Sequence, residues 1–183
     1  WAVKLSFLLF GFGNLYYGQI MRGLLFLLFE VVFIAYMLVP SGGLYWLAKG
    51  NWFQTGATVG TVQGEFKYDP VFDTDIWVSG DDSVKVMLYG LLTIFFIIAF
   101  IYTWRLQVKQ CRICMDITAS GKKVKSGKDD MRSLLDDQFH KTMLALPVTG
   151  ILVFTVLPII YMILVAFTSY DAAHDGYSNL FTW

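Results

Sequence analysis

Apolar residues collect in three long runs along this chain, roughly Met21–Val39, Val84–Trp104 and Met143–Phe167, with charge and glycine returning between them. At about 1.5 Å of rise per residue, each run is long enough to cross a hydrocarbon core of about 30 Å. The pattern predicts three membrane-spanning helices. The stretch before them, Trp1–Ile20, is different: its apolar run, Leu5–Phe10, gives way to Gly11, Gly13, Asn14, Gly18 and Gln19. That run is too short to span, and it lacks the Ala-x-Ala-like cleavage site of a signal peptide. Lys4 and Arg22 flank the stretch, and a crossing would leave Lys4 on the outside. An interfacial helix and a glycine-rich turn, with Tyr16 and Tyr17 at headgroup depth, is expected instead.

Between the spans the pattern changes period. Pro40-Ser41-Gly42-Gly43 stops the first run, and Leu44–Ala48 follows with Tyr45 and Trp46 suited to an interface. Thr58–Val62, Glu65–Tyr68 and Ile76–Val78 then alternate and carry β-branched or aromatic residues, separated by Gly64 and Asp69-Pro70. This predicts a small β-hairpin or a few short strands. After the second run a helix is expected to continue to about Ser120, followed by the polar segment Ser120–Asp130. A short amphipathic helix over Asp129–Lys141 should lead into the third span.

The expected fold is therefore an all-α integral membrane protein. It has an N-terminal interfacial segment (1–20), a first transmembrane helix (21–40) and an extracytoplasmic loop with a small β element (41–83). A second transmembrane helix (84–104), a basic cytoplasmic loop (105–142), a third transmembrane helix (143–169) and a further extracytoplasmic stretch (170–183) complete it.

Charge supplies the orientation. The formal net charge is zero, but it is segregated. Arg105, Lys109, Arg112, Lys122, Lys123, Lys125, Lys128, Arg132 and Lys141 lie between the second and third runs. Lys49 and Lys67 lie between the first and second, with Lys85 at the border, against Glu65, Asp69, Asp73, Asp75, Asp81 and Asp82. Lys and Arg resist translocation, which puts the Arg105–Lys141 segment and the N-terminus in the cytoplasm and the Ser41–Ser83 loop outside. An aromatic content of 17% fits a chain that meets lipid. Beginning at Trp1 and ending at Trp183 in a polar stretch, the chain reads as a piece of something longer.

Few residues carry candidate chemistry. Glu30 lies near the middle of the first span, where an ionisable group is costly and should face protein or water. Gly23, seven residues earlier, shares its face and offers a small-residue surface for another helix. Two readings follow for Glu30: part of a polar pathway, or a carboxyl that locks helix contacts. Pro147 and Pro158 are candidate kink positions in the third span; their spacing is close to three helical turns, which would put both on one face. Asp73-x-Asp75 followed by Gly80-Asp81-Asp82 hints at a calcium loop, but it lacks the EF-hand spacing and has Val84 where the bidentate Glu belongs, so a solvated acidic loop is expected. Cys111-x-x-Cys114 has no second pair for a zinc site and reads as two free thiols. No Ser/His/Asp arrangement, His-Glu-x-x-His or phosphate-binding glycine loop is present, so no catalytic residue, cofactor or metal ligand is assigned and an enzyme is not expected. The basic segment lacks the aromatic interleaving of a nucleic-acid binder.

Several stretches, in order along nearly the whole chain, resemble the N-terminal region of sugar permease subunits of bacterial ABC importers, especially the maltose/maltodextrin type. Gly11-Phe-Gly-Asn-Leu-Tyr-Tyr-Gly-Gln-Ile-Met-Arg-Gly23 is similar to the glycine-rich lead-in to their first helix. Gly80-Asp-Asp-Ser83 with Leu88-Tyr-Gly-Leu-Leu-Thr93 is similar to the start of their second. Leu157-Pro-Ile-Ile-Tyr-Met-Ile-Leu-Val-Ala-Phe-Thr-Ser-Tyr-Asp171 looks like the opening helix of the permease core, and Asn179-Leu-Phe-Thr-Trp183 like the extracytoplasmic stretch after it. The resemblance implies a multi-pass protein of the bacterial cytoplasmic membrane, importing carbohydrate by alternating access. Its implied partners are a second permease subunit, cytoplasmic ATPase subunits and an extracytoplasmic sugar-binding protein. The family's later helices and its Glu-Ala-Ala loop, which docks the ATPase, are absent from these residues, so no substrate-binding or coupling residue is carried over. The rival expectation is a membrane anchor or sensor segment of a signalling protein, with the outside loop as receiver.

Overall fold

The structure, a computed structural model, describes residues 6, 8–122, 124, 129, 139–177 and 179–183. The elements in chain order are α1 (Phe12–Tyr16), α2 (Ile20–Leu38), α3 (Gly43–Lys49), β1 (Glu65–Asp69), β2 (Thr74–Val78), α4 (Ser83–Ala119), α5 (Phe139–Ile151), a π-helical stretch (Leu152–Val156) and α6 (Leu157–Val165). Three helical stretches are long and apolar enough to cross a membrane: Ile20–Leu38, Ser83–Ala119 and Pro147–Val165. Their large apolar side chains, among them Leu24, Leu28 and Val31 on α2 and Phe154 and Met162 on the third, are exposed. Exposed apolar surface on this scale calls for lipid or neighbouring helices to cover it.

The first span matches the apolar run. The second begins where expected, but α4 does not end at Trp104. It runs unbroken for 37 residues to Ala119, about 55 Å, well beyond a bilayer core. Asp82 sets its start, its Oδ1 accepting from the Lys85 N–H at 3.1 Å in the manner of an N-cap. The first part of the predicted basic loop is thus helix, as expected to about Ser120, and Cys111 and Cys114 are helical residues. Most of the amphipathic helix predicted over Asp129–Lys141 lies outside the described residues, as do Lys4, Lys123, Lys125, Lys128 and Arg132.

The third span departs from a plain kinked helix. Pro147 lies inside α5, Leu152–Val156 is π-helical, and Pro158 falls in the first turn of α6. The helix is continuous through these three stretches, so Pro158 removes a backbone donor within it and leaves the Phe154 carbonyl, inside the π-helical stretch, without its usual α-helical partner. The wide turn absorbs about one extra residue, roughly 100° of rotation.

The predicted hairpin is present. β1 and β2 pair antiparallel from Glu65 opposite Val78 to Asp69 opposite Thr74. Phe66 faces Trp77 across the ladder, their rings edge-on at 5.1 Å. The expected strand at Thr58–Val62 does not form; Thr58 makes a single bridge to Thr182.

The chain divides into two compact units. One comprises Trp1–Tyr36 and Phe96–Ile151, the other Met37–Phe95 and Leu152–Trp183. In the first, Phe29 and Phe33 of α2 interlock with Phe96 and Phe100 of α4, and Phe10 stacks on Phe100 at 4.7 Å. In the second, Val59, Val86, Met87 and Phe181 form a buried core with Trp46, Trp52, Tyr161 and Trp183 around it. The last residues are tied down there: Val59 N–H donates to Phe181 O at 2.7 Å, and Trp183 N–H to Ala57 O at 3.0 Å.

Candidate functional site

Glu30 is buried, 8% exposed, and its Oε2 accepts a hydrogen bond from the Phe10 N–H at 2.9 Å. The neighbouring Gly11 N–H donates to Gln107 Oε1 at 3.2 Å, and the Gly13 N–H to Ser6 Oγ at 2.9 Å. Gln107 in turn donates its amide to the Ser6 carbonyl. The physical need is plain. Residues 8–11 form a turn before α1, so their N–H groups lack the regular partners of a helix. Buried backbone donors must be paired, the more so beside lipid. Glu30 from α2 and Gln107 from α4 supply those acceptors.

Gly23 sits at the same junction. Gly11 adopts φ +74°, the left-handed region, and a Cβ there would meet the Gly23 backbone, with its Cα and C at 2.8 Å. A Cβ on Gly23 would meet the Leu15 side chain and, at 2.9 Å, the Gly11 carbonyl. The small-residue surface expected for a separate helix is therefore occupied by the chain's own N-terminal segment. That segment is not simply laid on an interface: α1 is one short turn whose Gly13 and Asn14 are buried, with Gly13 against Cys111 Sγ and Ser6 Oγ.

Both cysteines are buried thiols on α4, outside any disulfide, and Cys114 donates to Gln19 Oε1 at 3.4 Å. Asn14 is fully buried, and neither atom of its amide has a hydrogen-bond partner among the described residues. Chemically this nest is a set of amide, hydroxyl and thiol groups around one carboxyl that already holds a backbone donor. It contains no nucleophile and base in hydrogen-bond contact among the described residues. Glu30 thus ties α2 to the turn before α1 through its hydrogen bond with Phe10.

The second unit carries its own polar centre. Lys49 and Asp81 form an ion pair, their side chains 16% and 13% exposed. Asp81 Oδ2 also accepts from Thr61 N–H at 2.8 Å, Thr61 Oγ1 at 3.1 Å and Val62 N–H at 3.0 Å. Burial favours the neutral acid, but the Lys49 hydrogen bond and the Thr61 and Val62 donors outweigh it and hold the Asp81 pKa below its usual value. Burial likewise opposes the Lys49 charge, and the hydrogen bonds and charges of Asp81 and Tyr45 reverse that, raising its pKa. The Lys49 ammonium also lies 4.5 Å from the Tyr45 ring centre. The expected solvated acidic loop is corrected here: Asp73 and Asp75 are exposed, whereas Asp81 is a structural anchor. Among the described residues no three His, Cys, Asp or Glu converge as a metal-binding set.

Sequence reasoning missed Gln107, Ser6 and Asn14 in the nest, and the Lys49–Asp81 pair. The one signal for the nest was the glycine spacing around Gly11 and Gly13, which marks close backbone approach. Comparison with protein-family models, with curated proteins and with solved structures gives no match to this chain.

Proposed function

We propose that this chain forms the N-terminal part of the membrane-spanning permease subunit of an ATP-driven carbohydrate importer, of maltose/maltodextrin type. It contributes helices to the translocation channel, works in the bacterial cytoplasmic membrane, and partners a second permease, two ATPase subunits and an extracytoplasmic sugar-binding protein. The observation that carries the reading is the run Leu157–Asp171, a proline-bearing apolar helix to Val165 followed by Phe167-Thr168-Ser169-Tyr170-Asp171, which resembles the opening of the permease core. The order of the other motifs supports it. So does the knitted end of the chain, where Ser169 N–H donates to Thr182 O at 2.9 Å and the residues after α6 pack in one core with α3 and α4. An opening core helix anchored in this way is suited to hold the mouth of a channel.

Deleting the parent gene and following uptake of radiolabelled maltose and maltotriose tests the reading. Loss of energy-dependent uptake, restored by the gene on a plasmid, is expected. Unchanged uptake with an altered transcriptional response to sugar would favour the sensor instead.

A further inference from the structure

Beyond Trp104, α4 presents a cationic stripe that neither the fold nor the transport reading uses. Arg105, Lys109 and Arg112 are exposed and fall within an arc of about 60° on the helix. With Trp104 and the buried Val108 they line a recess of about 280 Å³. None of the three cations forms an ion pair among the described residues. Asp116 continues the stripe one turn farther from the apolar run and is not paired with Arg112 there.

We propose that this recess is a binding site for the headgroup of an anionic phospholipid. Trp104 closes the apolar run, at the depth where aromatic side chains settle between acyl chains and headgroups. Lys109 and Arg112 follow Arg105 by about 6 and 10 Å along the axis. Side chains on a helix lean toward its N-terminus, which on α4 is the apolar side, so all three long cations reach back toward the headgroup layer. Arginine's planar fork matches phosphate oxygens two at a time, and lysine adds a point charge. Trp104 and Val108 give the recess an apolar wall for the glycerol and upper acyl carbons. A topogenic excess of positive charge requires cations on this side of the span, but not their convergence with an apolar wall in one recess. The inference rests on α4 crossing a bilayer and is independent of what the protein transports.

The test uses the full chain in nanodiscs of phosphatidylcholine mixed with phosphatidylglycerol, with lipid retained on extraction identified by native mass spectrometry. Enrichment of phosphatidylglycerol is expected. It should fall about fivefold for each charge removed in Arg105→Gln, Lys109→Gln and Arg112→Gln, since a basic residue near an anionic surface contributes about 1 kcal/mol. Lys122→Gln, an exposed cation outside the recess, should leave it unchanged, and Arg105→Lys should retain most of it. Salt dependence of retention on the unmodified protein provides a readout that needs no variant: retention should fall as salt rises. No enrichment in the unmodified protein, or an equal loss for Lys122→Gln, would overturn the site. Competition by glycerol phosphate as effective as by the lipid would overturn the lipid assignment in favour of a free phosphate site.

Discussion

Gly11 and Gly18 both adopt left-handed backbone, φ +74° and +82°, but in different surroundings. A Cβ on Gly18 meets nothing within 4 Å, whereas one on Gly11 runs into the Gly23 backbone. Alanine at either position pays for the left-handed conformation, about 1–2 kcal/mol. Gly11→Ala must also push two backbone segments apart, an overpacking cost of about 1–3 kcal/mol. The shift would loosen the Phe10 and Gly11 donors from Glu30 and Gln107, each hydrogen bond contributing about 1 kcal/mol. Gly18→Ala should therefore destabilise by about 1–2 kcal/mol and Gly11→Ala by about 4–7 kcal/mol. Reversible unfolding in mixed micelles by titration with sodium dodecyl sulfate, followed by Trp fluorescence, measures both. Equal effects of the two substitutions would refute the packing of Gly11 on Gly23.

Further outcomes follow from the same contacts. Glu30→Gln, which keeps an acceptor for the Phe10 N–H, should assemble nearly as well as the parent, while Glu30→Lys should lose insertion or stability by about 2.5–3.5 kcal/mol; equal yields of folded protein from both would show that the side chain is not enclosed. Asp81→Ala leaves Lys49 and the Thr61 and Val62 donors unpaired and should cost about 3 kcal/mol in the same unfolding assay. Because the folded Asp81 pKa is lowered, the stability of that pair is present above the unfolded value near 3.9 and is lost as pH falls through the folded one; because the Lys49 pKa is raised, its share is present below about 10.4 and is lost as pH rises through the folded value. A stability profile flat below pH 4 would contradict the Asp81 assignment. Cys111 and Cys114 are buried, so neither should react with maleimide until the protein unfolds; an impermeant maleimide should reach Glu65→Cys but not Lys122→Cys from outside intact cells, and the reverse pattern would invert the proposed orientation.

Much of the secondary structure was legible because hydropathy and β-patterning are local signals. Three helices long and apolar enough to cross a membrane, the hairpin near Glu65–Val78 and the continuation of the second helix to about Ser120 all follow from residue order alone. What stayed hidden depends on partners distant in sequence. Glu30 reads as an isolated carboxyl in a span until the Phe10 N–H is placed beside it. Asp81 reads as one more acid in a polar loop until Lys49 closes on it. The π-helical stretch at Leu152–Val156 is invisible in the hydropathy pattern, which stays apolar through it.

The most direct measurement of the transport account is uptake in a reconstituted system. Proteoliposomes should contain the complete permease that carries this chain, the second permease and the ATPase subunits, with the sugar-binding protein outside and ATP within. The account predicts accumulation of labelled maltodextrin that requires ATP and ceases when the polypeptide bearing this chain is left out. Uptake that persists undiminished without that polypeptide would contradict it.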